Sequence, residues 1–167
     1  MATKILTTAF LKELQMETAS TRKCLERIPL AELSKFKPHE TSMEMGYLTL
    51  LVADIPMWIA MMITDSEIDM GTYPHAKIET SEQLMQSFEA NIKKAEAALQ
   101  NADDDMLEEN FSLKANGKVM YTSPKKIDIG TTINHWVHHR GQLTVYMRMN
   151  GIKIPSIYGP SADDKSF

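Results

Sequence analysis

Apolar residues recur at helical spacing in three stretches of the chain, and the polar positions between them mark where those stretches begin and end. Over about residues 7–28 the sequence places Phe10, Leu11, Leu14, Ala19, Cys24, Leu25 and Ile28 on one face. That is the repeat of an amphipathic helix. Pro29 predicts its end, because proline lacks an N–H and its ring crowds the preceding turn. A connection follows over residues 30–40. Thr41-Ser42-Met43-Glu44 then has the form of a capping box, in which hydroxyl and carboxylate meet the free amides of a first turn. It predicts a second helix from Thr41 or Ser42 through Leu48, Leu51, Val52, Ile55, Trp58, Ile59 and Met62. This helix is apolar on most sides, hence deeply buried, and Pro56 should kink it. Thr80-Ser81-Glu82-Gln83 is another capping box. It opens a third helix to about Asn101, with Leu84, Phe88, Ile92, Ala95 and Leu99 on the buried face.

The segments between are polar. Residues 65–79 read as a loop. Asp103-Asp104-Asp105 with Glu108-Glu109 lacks the glycine and distal glutamate of a calcium loop and reads as a solvated turn. Asn116-Gly117 lies between runs at 111–115 and 118–122, a strong hairpin signal. Ser123-Pro124 reads as N-cap and first residue of a fourth helix, which Asn150-Gly151 should stop. The tail, residues 152–167, holds Pro155, Gly159 and Pro160 and cannot be a long helix or a central strand. The predicted fold is all-α, a four-helix bundle with a small β-hairpin insert before the fourth helix. It forms one domain over residues 1–167. Bundles of this kind build metal sites from side chains on facing helices.

Composition narrows the function. A chain of 167 residues with 43% hydrophobic and 24% charged residues suits one domain with a sizeable core. The net charge of -4 and the lack of a lysine-arginine stripe argue against a nucleic-acid partner. The lone cysteine, Cys24, excludes an internal disulfide and fits a reducing cytosol. Its place among apolar positions makes it a core residue. The N-terminus has no long apolar run with a small-residue cleavage site, so a cytoplasmic location is expected. The most apolar window, residues 48–63, carries Asp54 and Pro56 and is too short to span a bilayer. No membrane partner is expected. The 13 methionines read as gap-filling core side chains.

Three of the five histidines, His135, His138 and His139, fall within five residues of the fourth helix. His135 and His139 are four apart, which puts their Cβ atoms about 6 Å apart on one face. Two imidazoles at that spacing can share a metal ion, although two ligands do not make a site. His39 and His75 fall on loops and read as surface or packing residues.

A family resemblance enters with the C-terminal sequence. His135-Trp136-Val137-His138-His139-Arg140-Gly141-Gln142-Leu143, then Val145-Tyr146-Met147-Arg148, Asn150-Gly151 and Pro155-Ser156-Ile157-Tyr158-Gly159-Pro160-Ser161-Ala162-Asp163 resemble the C-terminal half of the DinB family. Phe36-Lys37-Pro38-His39 before Ser42-Met43, and Val52-Ala53-Asp54-Ile55-Pro56-Met57-Trp58, resemble its second helix and the entry to it. The resemblance implies a four-helix bundle, often a homodimer. It also implies a divalent metal, zinc or nickel, held by three histidines. Two of them match His135 and His139. Some relatives are thiol transferases that use the metal to activate a low-molecular-weight thiol. The third histidine belongs on the second helix, at the position of Leu51, and leucine cannot ligate.

Three substitutes stand open: Asp54 one turn on, His138 turned inward, or His39 or His75 from a loop. Asp54 has a competing role as partner to Arg140, since a lone buried charge is costly. Two functions follow. The first is a metal-dependent enzyme of weakened or lost thiol-transferase or hydrolase type, with Gln142 and Tyr146 orienting a small-molecule thiol. The second is a non-catalytic dimeric scaffold for ligand binding or the stress response.

Overall fold

The computed structural model describes residues 2–74 and 76–166; His75, one of the substitute ligands, lies outside them. The described residues form a mostly helical protein with a small three-stranded sheet. In chain order the elements are α1 (Ile5–Leu25), α2 (Leu30–Leu33), α3 (Met45–Thr64), β1 (Glu67–Asp69), α4 (Ser81–Asn101), α5 (Asp104–Glu108), β2 (Asn110–Ala115), β3 (Lys118–Pro124) and α6 (Lys125–Met149). The four long helices match the four predicted ones. α3 packs against α4 and α6, and α1 packs against the same two.

The helix ends show where sequence signals are overridden. α4 begins as predicted. Gln83 N–H donates to Thr80 Oγ1 at 3.2 Å, and Thr80 N–H donates to Gln83 Oε1 at 3.3 Å. The predicted capping box at Thr41 does not form. α3 starts at Met45, after Glu44, with no side-chain cap. Its first amides go to the preceding segment instead: Met45 N–H donates to Phe36 O at 2.8 Å, and Gly46 N–H to Ser34 O at 2.9 Å. Those backbone bonds satisfy the donors a cap would otherwise serve. Ser123-Pro124 likewise does not open a helix in the predicted way. β3 runs through Pro124, and the Ser123 hydroxyl donates to the Asp128 carboxylate in the first turn of α6. At its far end α6 stops as predicted, with Gly151 at φ +69°.

α1 lacks a cap of its own, since Lys4 offers no side-chain acceptor. The Asp104 carboxylate supplies one from across the chain. It accepts from Ile5 N–H at 2.8 Å, Leu6 N–H at 3.0 Å and Thr7 N–H at 3.1 Å. Desolvation pushes this carboxyl up, but the amides of Thr7, Leu6 and Ile5 outweigh it and hold it below its ordinary value. Asp103 caps α5 in turn, accepting from Met106 N–H at 3.0 Å. The acidic run is therefore a pair of helix caps, and the expected solvated turn is corrected. Carboxylates suit both positions because helix N-termini carry partial positive charge.

α3 runs without a break through Pro56. Proline has no N–H for the carbonyl four residues back, which is that of Val52. The indole of Trp136 on α6 takes this carbonyl, with Nε1–H donating at 2.7 Å inside the core. At 20 residues, α3 is also longer than the apolar window read from the sequence. By length and composition it is sufficient to cross a membrane, which corrects that expectation, and 61% of its most apolar window is buried inside the protein.

The predicted hairpin forms, with Asn116 and Gly117 at φ +51° and +79°. These are the left-handed angles a two-residue hairpin turn needs. A third strand joins it and corrects the expected loop at 65–79: β1 pairs parallel with β2, Ile68 opposite Leu113. The Asp69 carboxylate fastens the turn, accepting from Asn116 N–H at 2.8 Å and Gly117 N–H at 2.6 Å. Three residues with one apolar side chain are too few to carry a strand signal.

The core holds Trp136, Phe88, Phe111, Leu14 and Ile55, and with them Cys24. Burial raises the Cys24 thiol to about 11, so it stays protonated as an inert core residue. Arg140 is 2% exposed and pairs with Glu17 of α1 at 2.6 Å, which corrects the expected partner Asp54. The Tyr158 hydroxyl donates to Glu17 at 2.9 Å and accepts from Arg140 Nη2 at 2.8 Å.

The tail folds back on the helices through two aspartates. Asp163 pairs with Arg148 at 2.7 Å and Asp164 with Arg27, just after α1, at 3.8 Å, while Asp164 also accepts from Ser156 N–H at 3.1 Å within the tail. The Ser166 hydroxyl and the amides of Ser156 and Ser166 lower the Asp164 carboxyl from 3.8 to about 2. A carboxyl lowered on folding stabilises above its unfolded value and loses that contribution as pH falls through its folded value. The window is thus from about 3.8 down to about 2. In an NMR titration the Ser156 amide proton is expected to move with a midpoint near pH 2; a midpoint at the ordinary aspartate value would refute the arrangement.

Candidate functional site

Two turns of α6 carry the histidines toward α3. His139 is buried and His135 half-buried. Their rings converge, with Nε2 to Nε2 at 2.7 Å and centroids 4.4 Å apart. Gln142 continues the line, its Oε1 lying 2.7 Å from His139 Nδ1. A carbonyl oxygen only accepts, so His139 Nδ1 carries a proton. In a neutral ring His139 Nε2 is then the acceptor, and His135 Nε2–H donates to it. Burial first, then His139 and His138 nearby, lowers the pKa of His135. These causes all favour a neutral His135 ring.

On the α3 side, Trp58 stacks on His135, with ring centroids 5.8 Å apart and 29° between planes. Leu51 lies two turns before Trp58, partly buried against the core. Of the substitute donors, His138 is exposed with its ring 5.2 Å from that of His139. Asp54 accepts from Asn91 Nδ2 at 3.3 Å. His39 bonds Thr41 within its own loop, Nδ1 to Oγ1 at 2.9 Å. Tyr146 is buried; its hydroxyl donates to Met43 O at 3.2 Å, and its ring meets Phe36 edge-on.

Two ligands of one tetrahedral zinc, each about 2.0–2.1 Å from the ion, stand about 3.3 Å apart. The two Nε2 atoms are closer than that and already bonded to each other. No group of three histidine, cysteine or acidic side chains able to hold a metal occurs among the described residues. The described residues therefore fit half of a metal site and not a three-donor one.

The sequence model of the DinB family matches residues 1–166. The chain belongs to the DinB family. Its fold is that of solved DinB-like proteins. One from Bacillus cereus ATCC 10987 superposes with a TM-score of 0.71 at 23% identity, over 95% of this chain and 100% of the other. YjoA from Bacillus subtilis gives 0.68 at 18% identity, over 87% and 93%. An uncharacterized protein of Bacillus subtilis strain 168, YrdA, is 53% identical over 32 residues, a match that spans 19% of either chain.

The roles of two residues beside the histidine pair escaped the sequence reading. Trp58 was visible as a core position and as the end of the stretch that resembles the second helix, with no role of its own, although it follows Leu51 by two turns on one helix face and stacks on His135. Asn91 had no signal at all, because its role depends on how α4 docks on α3.

Proposed function

We propose that this protein is a DinB-type four-helix bundle whose metal centre is reduced to His135 and His139. In this reading it takes zinc or nickel weakly, and thiol-transferase or hydrolase activity of the DinB type is weak or lost. The observation that carries the reading is the direct hydrogen bond between the two Nε2 atoms, 2.7 Å long, on a helix whose neighbour offers Leu51 in place of a third ligand. An ion must break that bond to bind and gains only two protein donors in exchange, where structural zinc takes four and catalytic zinc three.

The second reading, a dimeric ligand-binding or stress-response scaffold, draws support from the same closed pair, which satisfies both rings without an ion. Exposed Ile127, Val145 and Met149 on α6 support a homodimer in either case.

Leu51→His is expected to raise zinc affinity by at least about tenfold, by supplying the third donor. Calorimetry on both proteins measures it. An unchanged affinity would show that position 51 does not face the pair. Zinc held one-to-one by the wild type through mild chelation would refute the reduced centre itself.

A further inference from the structure

Asn-Gly occurs twice in the chain, at Asn116-Gly117 and at Asn150-Gly151. An asparagine ahead of glycine is open to attack on its own side chain by the next backbone nitrogen, because glycine has no side chain to hinder the approach. The fold treats the two pairs differently. Asn150 is half-buried at the end of α6, and its Nδ2 donates to Tyr146 O at 2.8 Å. Asn116 stands exposed at the tip of the hairpin, and a Cβ at Gly117 would meet nothing within 4 Å.

One carboxylate holds the exposed pair. Asp69 of β1 accepts from Gly117 N–H at 2.6 Å, Asn116 N–H at 2.8 Å and Gly71 N–H at 2.9 Å. The amide of Gly117 first, then that of Gly71, holds this carboxyl below its ordinary value. Asp69 therefore takes the hydrogen bond of Gly117 without removing its proton. The Asn116 side chain lies over Gly71, where an added Cβ would come within 2.7 Å of the Asn116 Cγ. Position 71 is glycine to make room for that side chain.

We propose that Asn116 is a modification site, at which spontaneous loss of the side-chain amide releases β1 from the hairpin, and that Asp69 holds the reaction off while the turn is closed. The Gly117 nitrogen gives up its proton and forms a bond to the Asn116 Cγ. The bond from Cγ to Nδ2 breaks, and that nitrogen leaves as ammonia. Water then opens the cyclic imide and leaves aspartate or isoaspartate at position 116. Water taken up and ammonia released balance the reaction, with no change of oxidation state. In the closed turn the Gly117 proton is committed to Asp69 Oδ2, and swinging the nitrogen toward Cγ breaks that bond. The product cannot restore the clamp. A new carboxylate over Gly71 stands beside that of Asp69, where like charges repel, and isoaspartate lengthens the backbone through the turn. Met70 N–H, which donates to Lys114 O at 2.9 Å next to Asp69, loses its place with it.

The test incubates wild type and Asp69→Ala at mildly alkaline pH and follows, by mass spectrometry, the chymotryptic peptides that hold Asn116 and Asn150. In folded wild type Asn116 is expected to react at least about tenfold more slowly than in urea, the effect of a hydrogen bond to a charged group. In Asp69→Ala it should react at least about tenfold faster than in folded wild type, for loss of the same bond. Asn150 in the same digests should keep its rate in the variant, which shows that the helices stay folded. In the modified fraction of wild type the Met70 amide should exchange with deuterium faster than in fresh protein. Equal rates at Asn116 in folded and urea-treated wild type, no acceleration in a folded Asp69→Ala, or an unchanged Met70 amide would each overturn the proposal. The wild-type comparisons decide it even if the variant does not fold.

Discussion

Replacing Arg140 by methionine is expected to cost about 3–5 kcal/mol of folding stability, the usual result of removing one partner from a buried ion pair. The guanidinium is 2% exposed and the Glu17 side chain 10%, so solvent screens neither. Arg140 also donates to Glu17 O at 3.1 Å and Thr21 Oγ1 at 3.2 Å, and it lies 5.4 Å from the centre of the Tyr158 ring. Without it Glu17 keeps the Tyr158 hydroxyl but no opposite charge. For a domain of this size, each kcal/mol lowers the melting temperature by about 2–4 °C, so a loss on the order of 10 °C is expected. The double variant with Glu17→Met should be less damaged than the single one, because it leaves no orphaned charge. Urea denaturation of the three proteins tests this. A single variant within about 1 kcal/mol of wild type would mean the pair behaves as a surface bridge.

The second large effect concerns the bond between Trp136 and Val52. Trp136→Phe is expected to cost about 2–4 kcal/mol, from lost volume and from a buried carbonyl left without a donor. The cause of that vacancy is Pro56, four residues on, and this permits a sharper test. In the Trp136→Phe background, Pro56→Ala restores an amide that can reach Val52 O, and should recover at least about 1 kcal/mol. In the wild-type background the same change meets a carbonyl already satisfied and gains less. A coupling of about 0.5–3 kcal/mol is the signature of residues sharing one partner. Strictly additive effects in the cycle would show that the indole does not act as the substitute donor.

Much of this fold was readable from the chain because its strongest signals are local. The period of apolar residues found three of the four long helices, end signals at Ser123-Pro124 and Asn150-Gly151 bracketed the fourth, the Thr80 capping box fixed the start of α4, and Asn116-Gly117 fixed the hairpin turn. What escaped depends on partners distant in sequence. Thr41 lost its cap role because Phe36 O and Ser34 O reach the same amides. β1 has no periodicity to read and exists because β2 offers an edge. Arg140 was matched to Asp54 because a lone buried charge is costly, whereas docking of α1 brings Glu17 to it. In the candidate site the spacing of His135 and His139 was legible. The bond between them, and the indole of Trp58 against His135, follow only from how α3 lies across α6.

The cap that Asp104 places on α1 bears on the order of events during synthesis. The opening turn of the first helix is finished by a residue 99 positions further along, which leaves the ribosome long after that turn does. Until then the earliest segment has exposed amides at its start, and an amino-terminal fragment ending before Asp104 should carry a frayed beginning. The acidic run thus closes a ring between α1 and the segment leading into the histidine helix, which links the completion of the one to the emergence of the other.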